Sequence, residues 1–181
     1  GTTIQHNVFH DIAARAYGGW GIYFDEGSSF IRAEDNLVYR TTHGGFHQHY
    51  GKENIIENNI FAYGRDQQIQ RTRIEDHLSF VFRRNIVFWQ DGKLLAGRWK
   101  DDRYVMDSNL YWNVDERDFD FSGSTLKEWR KKGQDKHSII RDPQFKNPAD
   151  SSFTFIDCES ISPIDFEPFS RRHVGPRLRH E

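Results

Sequence analysis

The chain has 181 residues, 36% of them hydrophobic, enough for one domain with a real core and too few to make two the natural expectation. Its 25 basic and 27 acidic residues are interspersed along the body and leave a formal net charge of −2, so no electrostatic footprint of a nucleic-acid binder is present. The lone Cys158 excludes an intrachain disulfide and a cysteine-rich metal site, and no apolar run approaches the roughly 18 residues of a membrane span.

Aromatic residues make up 15% of the chain while Met and Cys occur once each, so the apolar mass is carried by Phe, Tyr, Trp and Ile, which favour strands. The opening Gly1-Thr2-Thr3-Ile4 has neither the basic nor the apolar part of a signal peptide.

Self-similarity decides the architecture. Asparagine followed by two apolar residues recurs as Asn7-Val8-Phe9, Asn36-Leu37-Val38, Asn59-Ile60-Phe61, Asn85-Ile86-Val87 and Asn109-Leu110-Tyr111. A second column, Ile22, Phe46, Ile69 and Leu94, falls between the copies, each member inside a short run bounded by Gly or Asp. A unit this short cannot fold back on a helix as a βαβ unit, which needs about 30 residues. Coiling the chain so that equivalent strands stack about 4.8 Å apart satisfies the backbone and buries one apolar stripe. The expected fold is therefore all-β, a right-handed single-stranded parallel β-helix of about five coils. The repeated asparagines read as a structural ladder, bonding to one another or to turn backbone between coils.

The coils are expected over residues 1–115 and a loop-rich C-terminal cap and tail over 116–181. Within the cap, Thr125 to Lys132 reads as a two-turn helix with a hydroxyl cap, Leu126 and Trp129 on one face, and Gly133 as its stop. Ile139 to Phe145 reads as a short strand closed by a proline turn, and the remainder as a wrap over the last coil. The tail's Arg171, Arg172, His173, Arg177 and Arg179 have the form of a solvated basic terminus. The first coil has no comparable cover, so upstream coils or another chain are expected on that end.

Laid in register, the second-column strands put Tyr23, His47, Gln70 and Leu95 in one outward row and Asp25, His49, Thr72 and Gly97 in the next, with Glu26, Tyr50, Arg73 and Arg98 after them. The inward alternate row would hold Phe24, Gln48, Arg71 and Ala96, so Gln48 and Arg71 would need buried partners or a bulge. Aromatic rings and side chains that both donate and accept suit a polysaccharide or oligosaccharide, whose ring faces stack and whose hydroxyls need partners.

Glycoside hydrolysis requires two carboxyl groups flanking the bond. Asp25 is the leading candidate, with Glu26 beside it and either Glu75 or Asp76 two coils away as its partner, about 9.6 Å by rung spacing. Arg71 or Arg73 can instead simply pair with those acids. His47 and His49, with His77, read as sugar contacts or general acid–base groups; about 6.8 Å apart along a strand, the first two are too far apart to share a metal without a bend. No cofactor is expected.

Tyr17-Gly18-Gly19-Trp20-Gly21-Ile22-Tyr23-Phe24-Asp25-Glu26-Gly27-Ser28-Ser29 and Gly44-Gly45-Phe46-His47-Gln48-His49-Tyr50-Gly51-Lys52-Glu53-Asn54, with the tail elements Gly133-Gln134-Asp135 and Asp142-Pro143-Gln144-Phe145, resemble the pectate-lyase-like superfamily of right-handed parallel β-helix proteins. Within it they are most similar to β-helical glycoside hydrolases of the fucosidase and xylanase type. The resemblance implies a secreted or periplasmic protein, catalysis by acids on an outward strand face, to which Asp25 maps, and a chain that forms the C-terminal part of a longer solenoid. Three activities stay open: glycoside hydrolase, polysaccharide lyase or epimerase using Arg71 or Arg73 against a uronate, and a non-catalytic glycan-binding or structural β-helix.

Overall fold

The computed structural model describes residues 1–115, 119–170 and 174; the basic tail at 171–173, Arg177 and Arg179 lies outside them. Three short strands make each turn of a parallel β-solenoid. The first coil holds β1 (Thr3–Gln5), β2 (Val8–Ile12) and β3 (Trp20–Phe24), and the second holds β4 (Arg32–Glu34), β5 (Leu37–Thr41) and β6 (Gly44–Gln48). The third has β7 (Asn54–Glu57), β8 (Ile60–Gly64) and β9 (Gln67–Arg71), and the fourth β10 (Phe80–Arg83), β11 (Ile86–Trp89) and β12 (Lys93–Gly97). A further β13 (Tyr104–Asp107) and β14 (Leu110–Asn113) begin another turn that gains no third strand, so the solenoid has about four turns rather than five. The strands stack into three sheets, in order β1-β4-β7-β10-β13, β2-β5-β8-β11-β14-β15 and β3-β6-β9-β12, where β15 is Ile139–Ile140. β1, β2 and β3 each form the outer edge of their sheet.

The asparagines form the expected ladder at the corner between the first and second sheets. Nδ2 of Asn36 donates to Oδ1 of Asn59 at 2.9 Å, and Asn59 repeats the bond to Asn85 at 3.0 Å, while each backbone N–H donates to the same oxygen. The second Nδ2 hydrogen reaches back to a strand carbonyl of the preceding coil, Ile4 for Asn36 and Ala33 for Asn59. Four of the five ladder residues are fully buried, and these bonds are what make that tolerable. Just before each ladder residue stands a left-handed corner: His6, Asp35, Asn58, Arg84 and Ser108, all with φ between 52° and 55°.

Inside the coils Phe46, Phe61, Phe80, Phe82 and Trp89 pack with Ile22, Ile56 and Ile69 into one core, each large side chain contributing roughly 1.5–3 kcal/mol by burial. The walls of the second and third sheets come very close beside β3 and β6. A Cβ on Gly21 would lie 2.1 Å from Val38 Cγ1, and one on Gly45 would lie 2.7 Å from the Phe61 ring.

The cap divides its work. Helix α1 (Leu126–Lys131) is closed by a capping box between Thr125 and Glu128, and it seats Trp129 beside Phe121, Trp99 and Tyr104 over the last coil. The segment after Pro143 does not wrap the coil end, as the sequence suggested. A hairpin of β16 (Phe145–Asn147) and β17 (Ser152–Phe155) and a short 3-10 turn at Ser162–Ile164 lie along the outer face of the second sheet. Phe145, Phe153, Ile164 and Phe166 there meet Leu37, Ile60, Ile86 and Phe88. Strands buried on both faces follow from this, and it is why the second sheet reads as near-continuous apolar runs.

Candidate functional site

The outward face of the third sheet carries the aromatic and polar side chains. Register pairs Tyr23 with His47 and His47 with Gln70, the expected outward row. On β12, however, Leu95 pairs with Ile69 and Ala96 with Gln70, so the fourth coil is one residue out of the expected alignment and Gly97 falls opposite Arg71. Both Leu94 and Leu95 are buried, so apolar character could not choose between them.

At one end of this face an aromatic platform forms. Trp20 lies 4.8 Å from Tyr23 and 4.5 Å from His47, centroid to centroid, with Tyr17 edge-on to it at 5.1 Å and His43 at 5.6 Å. Tyr23 and His47 stack nearly flat at 4.6 Å. The indole N–H donates to the amide oxygen Oε1 of Gln70 at 2.7 Å, an oxygen that also accepts from Gln67 Nε2 at 2.9 Å. Tyr17 is 78% exposed, which leaves a ring free to meet a flat ligand.

At the strand ends the side chains are polar. Tyr23 donates its hydroxyl hydrogen to Asp25 at 2.7 Å. That bond, with the Glu26 backbone N–H, holds the Asp25 carboxyl below its ordinary range, and burial, Tyr17 and Asp25 together push the Tyr23 hydroxyl well above its own. The Thr72 hydroxyl sits between two imidazoles, 2.9 Å from His47 Nε2 and 2.7 Å from His49 Nδ1. Burial, reinforced by the charge of His49 and opposed by Asp25, lowers the His47 ring from 6.5 to about 4. Beyond them, Arg73 lies over the Tyr50 ring at 4.4 Å, and burial followed by the negative charge of Glu26 raises the Tyr50 hydroxyl, with Glu75 adding to it. Glu75 lies 3.3 Å from His77 Nε2.

The structure thus brings Tyr23, Asp25, Glu26, His47, His49, Gln70, Arg73 and Glu75 to one face, with His77 alongside Glu75 and Gly51. Asp76 is exposed next to them in sequence. Arg71 is different: its side chain is fully buried, bonded to both carboxylate oxygens of Asp101 at 2.5 and 3.0 Å, and lies over Tyr104 at 5.0 Å. It holds the loop after β12 from inside the coil and is not on the outward face of the third sheet. Gln48, also fully buried, accepts from Asn54 Nδ2 at 3.0 Å. Asp101 and Asn54 are thus partners for the inward row, while Arg71 Nε and Gln48 Nε2 stay buried without a hydrogen bond among the described residues.

Sequence reasoning missed Tyr17, Trp20 and His43 as members of the face and gave Thr72 no role. Trp20 and Tyr23 have opposite parity along a strand, so strict alternation places them on opposite sides; the tight backbone at Gly21 brings both outward. Among the described residues no group of three or more His, Cys, Asp and Glu side chains is placed to hold a metal ion, and no helix is long and apolar enough to cross a membrane.

What the fold and this face define is a parallel β-solenoid with an aromatic, histidine-rich surface along one sheet. No protein-family model matches the chain, and comparison with curated proteins and with solved structures returns no match.

Proposed function

We propose that the third-sheet face binds a polysaccharide and that its strand-end acids hydrolyse it, making the protein a glycoside hydrolase of the β-helical kind that its sequence resembles. The observation that carries this is the continuous surface of Tyr17, Trp20 and Tyr23 running into Asp25, His49 and Arg73, apolar ring faces beside groups that donate and accept. Asp25, held ionised by Tyr23, serves as the carboxylate that attacks or activates water. Glu75, within electrostatic reach of Tyr50, is favoured over the exposed Asp76 as the proton donor to the leaving oxygen.

The lyase alternative loses support from the same geometry. Of its two arginines only Arg73 faces outward, and of its two kinds of base Tyr23, pushed up in pKa, is a poor one, which leaves a histidine. The experiment is release of reducing ends from a panel of neutral and uronate-containing oligosaccharides by wild type and Asp25→Asn. Hydrolysis by wild type that falls at least about a hundredfold in the variant, with oligosaccharide binding retained, supports the proposal. Ultraviolet-absorbing unsaturated products indicate a lyase, and unchanged turnover in Asp25→Asn removes Asp25 from the mechanism. Binding without turnover by either protein leaves a glycan-binding module.

A further inference from the structure

We propose that His47 and Thr72 fix the hydrogens of His49, so that its Nε2–H stands at the strand-end cluster as a donor to a ligand oxygen. The Thr72 hydroxyl has one hydrogen and lies within bonding distance of two ring nitrogens, His47 Nε2 at 2.9 Å and His49 Nδ1 at 2.7 Å. With neutral rings it can donate to one and accept from the other, in either sense, or accept from both; the last leaves the hydroxyl hydrogen without an acceptor among the described residues and is set aside, so two arrangements remain.

In the first, Thr72 donates to His47 and accepts from His49 Nδ1. The proton of His47 is then on Nδ1, a buried atom with no partner in a side chain only 3% exposed. In the second, His47 Nε2–H donates to Thr72 and Thr72 donates to His49 Nδ1. His47 Nδ1 becomes a bare ring nitrogen, and buried N–H groups without a partner are the rarer orphans in proteins. The shorter 2.7 Å contact at His49 also matches an O–H donor. The second arrangement is therefore the one adopted, and it forces the proton of His49 onto Nε2.

Among the described residues that nitrogen has no hydrogen-bond partner, and His49 is half-buried, so the atom is not one of the buried unpartnered polar atoms. His49 stands in the outward row between Asp25 and Thr72, with its ring 5.0 Å from Tyr50. A donor held there, beside the ionised Asp25 that can only accept, supplies the complementary polarity that a sugar hydroxyl or ether oxygen needs. The choice of a sugar as ligand rests on the proposed glycan function; the placement of the hydrogens does not. His47 Nδ1 has no proton source, so the chain orients His49 and does not conduct protons. His47 and Thr72 are positioning residues, and His49 is the group that meets the ligand.

The test is long-range proton–nitrogen correlation spectroscopy on protein with nitrogen-15 histidine, at a pH of about 8, where an ordinary imidazole is neutral. Both His47 and His49 are expected as Nε2–H tautomers. Thr72→Val should release His49 to a mixture of tautomers, and Thr72→Ser should restore the wild-type pattern. A His49 Nδ1–H tautomer in wild type, or an unchanged His49 in Thr72→Val, overturns the assignment, and comparison with Thr72→Ser shows whether any change comes from lost folding. Adding cello-, xylo- or chito-oligosaccharides should shift the His49 Nε2 resonance. If the tautomers are as expected and none of these sugars moves that resonance, the ligand role falls and the glycan reading with it, while the hydrogen assignment stands.

Discussion

Asp135 closes the asparagine ladder where the repeat ends. With no exposed surface, its carboxylate receives Asn109 Nδ2 at 3.1 Å, Tyr111 Oη at 3.0 Å, Trp129 Nε1 at 2.8 Å and Ser138 Oγ at 2.5 Å, and Asn109 N donates to Ser138. A carboxylate and a hydroxyl thus replace the amide oxygen that the next coil would supply. Asp135→Ala leaves several buried donors without a partner and should destabilise the fold by about 3 kcal/mol or more. Urea denaturation measures this, and a loss under about 1 kcal/mol contradicts the role. A second residue-scale prediction concerns His47, whose pKa falls from 6.5 unfolded to about 4 folded. The unfolded chain therefore binds more protons between those values, so this group's stabilisation is intact above 6.5 and is lost as pH falls through about 4. Urea midpoints followed from neutral pH downward should drop less steeply in His47→Phe than in wild type; equal slopes would show that His47 does not titrate in this range.

At the scale of the element, the ladder predicts a gradient of cost. Asn59 donates to Asn85, Ala33 and Glu57 and accepts from Asn36, whereas Asn7 at the outer edge donates to Asn36 and Gln5 alone. Asn59→Ala should cost about 2–4 kcal/mol and Asn7→Ala about 1 kcal/mol or less in the same unfolding assay; equal costs would mean that the amides are not coupled coil to coil. This ladder was legible because packing demands one residue type at one place in every coil. The left-handed corners beside it were not: His6, Asp35, Asn58, Arg84 and Ser108 share a backbone conformation and no side-chain chemistry. The slip at Leu94 and Leu95 has a similar origin, two buried leucines side by side with nothing in their chemistry to choose between them. The candidate face was legible in the rows led by Tyr23 and Asp25. Trp20 was hidden because the backbone at Gly21 departs from strand alternation; Arg71 was read correctly as inward, but its use as a ligand contact stayed open because its partner Asp101 lies 30 residues further on.

At the scale of the molecule, the two ends of the solenoid and its three flanks are treated differently. The last coil is closed by α1 and Phe121, the second sheet is covered by the hairpin and the segment after it, and the third sheet keeps its aromatic face uncovered by either. Among the described residues the first coil presents β1, β2 and β3 as sheet edges with no strand paired on their outer side. A solenoid needs no aromatic platform for its own stability on an outward face, and this surface is proposed to serve a glycan. Its most direct measurement is a crystal structure after soaking with a neutral oligosaccharide of four to six units, on the order of the length this sheet can span. A sugar ring is expected on the Trp20 and Tyr23 platform, with a ligand oxygen at hydrogen-bonding distance from His49 Nε2. A sugar bound instead in the cleft between Trp99, Lys132 and Gln134, with the platform left bare, would contradict it.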